Sequence, residues 1–369
     1  MGGRAIVVGG GIGGLAAAVG LHRGGWDVTV LEQSESFGEI GAGIMLWPNA
    51  LKALRFLGLS DRLNAIVKPQ LAGGVRTSDG RWLSRWEGPV LREMLGDTTA
   101  GIHRASLHRT LLEELPARAL RAGTKVDDHR ELDADLVVAA DGIGSGVRRR
   151  LLPGHPGPVY GGATAWRGIC EPLETSDIGI SWGRGTEFGI VPLVDGRIYW
   201  YASKLAPPGR FFDDEKAAVL RDFGSWHEPI GALIEHTPSV LHHDLYHLAE
   251  PLPSFVFGGR VALLGDAAHA MVPNLGQGAC QALEDAAVLK LAVERHGDDV
   301  ASVLAFYDSR RRPRAQSVAR LSARTARFVT NVKNPVGVAV RNGIVRLTPG
   351  MMSIRGMAGV AKWDVTDGA

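Results

Sequence analysis

Residues 4–32 read RAIVVGGGIGGLAAAVGLHRGGWDVTVLE. Arg4–Val8 is a short β-branched run, the pattern of a buried parallel strand. Gly9, Gly11 and Gly14 fit G-x-G-x-x-G, with Gly13 inside the same cluster. Leu15–His22 is small and apolar, as a helix lying close on a sheet must be. Gly24 and Gly25 stop that helix, and Trp26–Leu31 forms a second strand ending at Glu32. In this arrangement Gly9 permits the tight turn and Gly11 admits a pyrophosphate to the backbone. Gly14 lets helix and strand approach. The free N–H groups at the helix start favour phosphate, and an acid at the end of the second strand accepts from ribose hydroxyls. The stretch predicts a Rossmann-type dinucleotide site with Gly9, Gly11, Gly13, Gly14 and Glu32 as contacts.

The five glycines between Gly9 and Gly14 break the apolar run that a secretory signal needs, and only Arg4 supplies charge before it. Ile6 also excludes a myristoylation signal. The chain has 369 residues, enough for about two domains. Its 41 basic and 39 acidic residues give a net charge of +2, which argues against a nucleic-acid partner. Arg148–Arg150 and Arg310–Arg312 read as solvated helix faces. Two cysteines, Cys170 and Cys280, make neither a disulfide framework nor a metal site, so a cytoplasmic location is expected. No apolar run has the length of a membrane span.

Beyond Glu32, Gly41 and Gly43 suggest backbone lying against something flat. Pro48–Leu57 reads as a helix, Gln70–Trp86 as two strands around an Asp79-Gly80 turn, and Ile102–Leu115 as an amphipathic helix. Asp135–Asp141 and Arg260–Gly265 are further buried strands, each followed by an acid, Asp141 and Asp266. Acids at strand ends face the ligand crevice of a doubly wound sheet. Pro273–Ala279 opens a second glycine-rich helix, Cys280–Arg295, whose N-terminus suits a negative charge on a bound ring. The C-terminal part holds an arginine-rich helix, Asp308–Arg327. A last helix near Gly350–Lys362 has an apolar face of Met351, Ile354 and Met357.

Together these segments resemble the flavin-dependent aromatic hydroxylases, the group A monooxygenases of the para-hydroxybenzoate hydroxylase fold, in the salicylate and urate hydroxylase branch. Gly9–Gly14 with Glu32 resembles the family's adenosine diphosphate site, and Gly41–Asn49 its GAGI…PNA segment. Asp141-Gly142 with Arg148 resembles the DG motif, associated with FAD and the nicotinamide donor. Gly265–His269 with Pro273 resembles the GD motif, and Gly276, Gln277, Gly278 and Ala279 the loop beside the flavin ring. The resemblance runs from about Arg4 to about Arg324. It implies an α/β fold: a split FAD-binding domain (1–70, 100–155, 256–290), an inserted antiparallel substrate domain (71–99, 156–255) and a C-terminal helical segment (291–369). It assigns noncovalent FAD to the glycines and Glu32, to Gly43, Arg104 and Val126, and to Asp266, Pro273, Gly276, Gln277, Gly278 and Ala279. NADPH or NADH is the transient donor, associated with Asp141 and Arg148.

The implied chemistry is oxygen transfer from a flavin hydroperoxide to a small aromatic or polyketide-like ring, by hydroxylation or epoxidation. Substrate contacts are expected in Gly157–Leu205, with Arg167, Tyr199 and Tyr201 as candidates; Trp182, Phe188 and Trp200 are candidates for an aromatic lining, with core packing expected for at least one of them. His269 reads as structural. His242, His243 and His247 match no zinc spacing. An isoprenoid-type flavin reductase, a flavoprotein partner without turnover and a nicotinamide dehydrogenase are the alternatives, and the W-x-W-x-I-P signature of flavin halogenases is absent. A monomer or homodimer is expected. One departure stands out: Gly123 to Asp135 is too short for the β-meander usual in this family.

Overall fold

A computed structural model describes residues 2–38, 42–173, 179–348 and 350–366, the side chains of 350–355 excepted. The expected position Gly41 and the side chains of Met351 and Ile354 lie outside the described residues. A six-stranded sheet runs in the order Val256–Phe257, Val261–Leu263, Leu136–Ala139, Arg4–Val8, Asp27–Leu31, Leu120–Arg121. Its pairs are parallel except the one made by Val256–Phe257. Three segments far apart in the chain thus end their strands side by side at Val8, Ala139 and Leu263. That sets the three turns Gly9–Gly14, Asp141–Ser145 and Gly265–His269 along one crevice, where doubly wound sheets bind ligands.

The helices Ile12–Arg23 and Gly278–His296 pack on one another over this sheet. Small residues permit the contact: Ala16, Ala17, Ala18, Ala286 and Ala287 are fully buried. A Cβ on Gly13 would come 3.0 Å from Leu264 Cδ2 and 3.1 Å from Ala282 Cβ.

A second, seven-stranded sheet has the order Val240–Leu248, Pro158–Cys170, Ile198–Leu205, Thr186–Pro192, Gly179–Trp182, Ala72–Thr77, Trp82–Glu87. Alternation gives it two faces. Trp166, Phe188, Ile190, Ile198 and Trp200 point to one side and pack on Phe223, Ile230, Leu233 and Ile234 of two short helices. Phe188 and Trp200 stack at 5.4 Å, and Trp200 Nε1 donates to Thr237 at 2.7 Å. These two rings are therefore core, the reading expected for at least one of the three aromatics; burying each contributes about 2–3 kcal/mol. Trp182 alternates to the other face, which also carries Arg167, Tyr199, Tyr201 and Glu187 by register.

Other boundaries shift. The expected Ile102–Leu115 helix begins only at Arg104, because Ala100–His103 is the central strand of a small sheet between Gly43–Leu46 and Val67–Pro69. Backbone pairing on both sides outweighs helical spacing there. The arginine-rich helix spans Val300–Val329, and a further helix, Pro335–Leu347, has no counterpart in the sequence reading. The short Gly123–Asp135 connection holds a single turn, His129–Glu131, beneath Arg260, which donates to the carbonyls of His129, Arg130, Leu132 and Ala134. No helix of the described residues is long and apolar enough to cross a membrane.

Candidate functional site

The glycine turn divides into two kinds of position. Gly9 has φ +108°, and a Cβ there would lie 2.3 Å from the Ala140 carbonyl oxygen. A Cβ on Gly14 would lie 2.0 Å from Gly9 O. Gly13 and Gly14 are thus close-packed at the Cα, so a ligand meets them only through the backbone. At Gly11, Gly142, Gly144 and Gly278 a Cβ meets no described atom within 4 Å, so bare backbone borders open crevice. Gly43 belongs with the packing positions: the Tyr199 side chain covers it, and a Cβ would come 2.3 Å from Tyr199 Cβ. Val126 is likewise packed against the core of the parallel sheet.

Glu32 holds the first turn in place. Its carboxylate accepts from Gly10 N at 2.7 Å and Ser34 N at 2.8 Å. Burial pushes its pKa up, but these N–H groups outweigh it and leave the carboxyl below the ordinary value. His108 hydrogen-bonds the Gly10 carbonyl at 2.7 Å.

Asp141 Oδ2 accepts from Val147 N at 3.2 Å, while its other oxygen is buried with no partner among the described residues. Arg148 departs from expectation. Only 1% of it is exposed, and its guanidinium donates to the carbonyls of Ile143, Asp266 and Ala267. It joins two turns distant in the chain, so it is not a solvated helix face. Asp266 itself is exposed at the turn's tip.

The second glycine-rich helix starts at Gly278 after Gly276 (φ +61°), with no side-chain cap on its N-terminus. The helix after Gly11 is uncapped in the same way. Unpaired N–H groups at a helix start are an anion site. Beside the second start, Trp47 Nε1 and Gln277 Nε2 are buried without partners among the described residues, and a Cβ on Gly276 would come 3.1 Å from Trp47 Nε1. Gln277 Oε1 accepts from Asn49 at 2.9 Å and from Gln281 at 3.1 Å. Bare glycine backbone, two uncapped helix starts and orphaned buried donors fit a long, flat, anionic cofactor.

Beneath this loop lies a network that sequence reasoning missed. Arg311 is fully buried, and its Nε and Nη1 donate to Asp285 at 2.6 Å and Glu284 at 2.5 Å. Arg314 adds two bonds to Glu284, at 2.6 and 2.7 Å, and Asn49 a third at 2.6 Å. Asp285 also accepts from Gly265 N at 2.9 Å and pairs with His269 at 2.6 Å. Burial pushes the Asp285 pKa up, but His269 and Arg311 hold it below the ordinary value. His269 is structural, as expected. The Arg310–Arg312 run is not a solvated face; its middle member is the counter-ion of two buried acids. The available signal was Glu284-Asp285 inside an otherwise apolar helix.

On the other face of the seven-stranded sheet Tyr199 and Tyr201 pack with Ala42 and Met45 beside the Gly43–Leu46 strand, and Arg167 shares that face by register. Arg167 lies opposite Tyr201 in register and donates to the Tyr199 hydroxyl. Burial raises the Tyr199 pKa, against the pull of Arg167 and Arg104. The Tyr201 ring lies across Gly189, where a Cβ would come 2.1 Å from the ring, and its hydroxyl bonds Glu187. Glu187 is 8% exposed and accepts from Trp182 Nε1 at 3.1 Å. Burial pushes its pKa up to about 7 against the bonds from Trp182 and Tyr201 and the charge of Arg341. Sequence reasoning passed over Glu187. His242 stacks on Trp166 at 4.6 Å and bonds Glu215 at 2.8 Å, and no metal-binding group of His, Cys, Asp and Glu occurs among the described residues.

Comparison with known proteins agrees with this geometry. The FAD binding domain family matches residues 4–322. The chain is 35% identical over 365 residues to aurachin C monooxygenase/isomerase of Stigmatella aurantiaca, covering 93% of each chain. It is 33% identical over 353 residues to FAD-dependent urate hydroxylase of Klebsiella pneumoniae, covering 90% and 91%. The crystal structure of Klebsiella pneumoniae HpxO with FAD and uric acid superposes with a TM-score of 0.88 at 29% identity, over 97% and 96% of the two chains. Two uncapped glycine-led helices and a match over about nine-tenths of the chain to flavoprotein oxygenases lead to one conclusion: this chain belongs to the FAD-binding family of group A flavin monooxygenases and is an FAD-dependent monooxygenase.

Proposed function

We propose that the chain inserts one oxygen atom of O2 into an electron-rich, oxygen-bearing aromatic or nitrogen-heteroaromatic ring, by hydroxylation or epoxidation, with NAD(P)H as donor. One observation carries this reading: the sheet face bearing Tyr199 and Tyr201 packs on the Gly43–Leu46 strand, which runs into the helix whose Asn49 donates to Gln277 at the second uncapped helix start. The division into a split cofactor domain and an inserted substrate domain follows from the two large sheets.

In this reading Gly11, Gly142 and the helix start at Ile12 hold the pyrophosphate, and Glu32 the adenosine ribose. Asp266 accepts from the ribityl chain, with Arg104 and Pro273 alongside. FAD, when bound, supplies the redox chemistry. The Gly276–Ala279 backbone offers N–H groups and a positive dipole end to an anionic ring edge. Arg167 and Tyr199 orient the substrate's oxygen substituent by hydrogen bonds. Tyr201 stays protonated, because burial and the neighbouring Glu187 carboxylate hold its pKa well above the usual tyrosine range, so its hydroxyl can donate a hydrogen bond to an oxygen substituent of the ring. The apolar neighbours Ala42, Val191, Leu193 and Ile169 exclude water around them.

The test is spectroscopic. Purified protein should show an oxidised flavin spectrum that bleaches with NADPH or NADH without air and returns with oxygen. Hydroxylated quinolines, pyridines, purines and salicylates should then be screened for faster donor oxidation together with an oxygenated product. Donor oxidation that reduces a substrate double bond without oxygen uptake would establish a flavin reductase instead.

A further inference from the structure

The helix Pro335–Leu347 presents to solvent a stripe that the oxygenase chemistry does not use. Val336, Val340, Ile344 and Leu347 are 69, 56, 48 and 85% exposed, and their spacing of four, four and three residues puts them on one side. The opposite side is fixed. Arg341 is 2% exposed, donates to Val329 O at 2.7 Å and Gly183 O at 3.3 Å, and lies 5.3 Å from the Trp182 ring. The apolar stripe is thus held outward by a buried anchor. Phe328, at the end of the preceding helix, is also exposed.

Charge narrows the choice of partner. Between Asp308 and Asp364 the sequence has twelve lysines and arginines and no acidic residue. Arg320, Arg324 and Arg327 are exposed along the preceding helix, and Lys333 and Arg346 flank the stripe. In a two-fold pairing of copies each patch meets itself, which would oppose these cations to one another. A single stripe on a 13-residue helix also supplies only a fraction of the roughly 800 Å² per partner in a stable interface. A basic, amphipathic helix with aliphatic residues on its outer face matches an anionic lipid surface, where the side chains enter the acyl boundary and the cations meet headgroups.

We propose that the outer face of Pro335–Leu347, with the basic end of the preceding helix, docks the folded enzyme on anionic lipid bilayers. This is a peripheral contact: no helix of the described residues is long and apolar enough to cross a membrane.

The experiment is co-sedimentation of the full chain, with FAD bound, on vesicles of phosphatidylcholine alone and of phosphatidylcholine mixed with phosphatidylglycerol, at low and high salt. Binding to the mixed vesicles should be about tenfold stronger than to neutral ones and should fall with salt. Val340→Glu with Ile344→Glu should reduce it about tenfold, with flavin spectrum and melting temperature unchanged. Leu347→Ser, at the most exposed position, gives a second variant should the first fail to fold. Arg324→Gln with Arg327→Gln should weaken the salt dependence. Equal binding to both vesicle types, or to neither, would overturn the proposal. So would a dimer in gel filtration that the Val340→Glu, Ile344→Glu variant splits, since the stripe would then join two copies.

Discussion

The side chain of Tyr199 rests directly on the backbone of Gly43, so the seven-stranded sheet and the small three-stranded sheet touch through a residue with no side chain. A Cβ at Gly43 would lie 2.3 Å from both Cβ and Cγ of Tyr199, and neither is a flexible end that can swing away.

Gly43→Ala should therefore destabilise by about 1–3 kcal/mol through overpacking. Gly43 does not have a positive φ, so the effect is steric alone. Combining Gly43→Ala with Tyr199→Ala should cost less than the sum of the single changes, as thermal melts in a double-mutant cycle would show. Additive losses would mean that the two residues are not coupled.

Asp266→Ala should release FAD without unfolding the chain, because the carboxylate stands exposed at the turn while Ala267 and Ala268 carry the packing. The loss of a charged acceptor is worth about 1.5–3 kcal/mol, at least tenfold in Kd. Flavin content after gel filtration and fluorescence titration of the apoprotein measure it. Retained FAD would remove Asp266 from the ribityl site.

Glu187 gives stability a pH signature. Its folded pKa of about 7 lies above the ordinary 4.5, so the folded protein holds a proton there that the unfolded chain has released. Stability should fall as pH rises from about 4.5 to about 7, by about 3 kcal/mol in all. Glu187→Gln removes this contribution. The variant should therefore melt higher relative to the wild type at pH 8 than at pH 5. Parallel melting curves across that range would contradict the assignment.

Arg311→Met should destabilise by about 3–5 kcal/mol, because Glu284 and Asp285 would remain buried without their main counter-ion. The folded pKa of Asp285 lies below 3.8, so its contribution is present above that value and lost as pH falls. Removing Arg311 raises the Asp285 pKa, and acid unfolding of the variant should begin at higher pH. Circular dichroism through an acid titration reads this directly. An unchanged acid midpoint would show that His269 and Gly265 suffice to hold Asp285.

What the sequence reveals here depends on how local the cause is. Gly9, Gly11 and Glu32 are legible as structure because turn, helix start and strand-end acid all follow within one β–α–β unit. Asp266 and Gly276 are legible for the same reason. Arg148 and Arg311 were misread, because a run of arginines on a helix looks solvated until the carbonyls or carboxylates it meets are known. Those partners lie 118 and 119 residues away for Arg148, and 26 and 27 for Arg311. Glu187 was invisible because its neighbours Trp182, Tyr201 and Arg341 are assembled by sheet register and by a helix from another part of the chain. Ala100–His103 shows the same limit, since a helical pattern yielded to two strands waiting on either side.

The network under Gly278 has a bearing on the order of assembly during synthesis. The helix that closes the cofactor crevice is held by Asn49 from early in the chain and by Arg311 and Arg314 from late in it. A nascent chain that has emerged as far as His296 already possesses the turns at Gly9–Gly14, Asp141–Ser145 and Gly265–His269, yet Glu284 in its last helix still lacks both of its cations. Arg311 and Arg314 supply them from the helix that follows. The glycine turns are thus written before the ion pairs that underlie the second helix start.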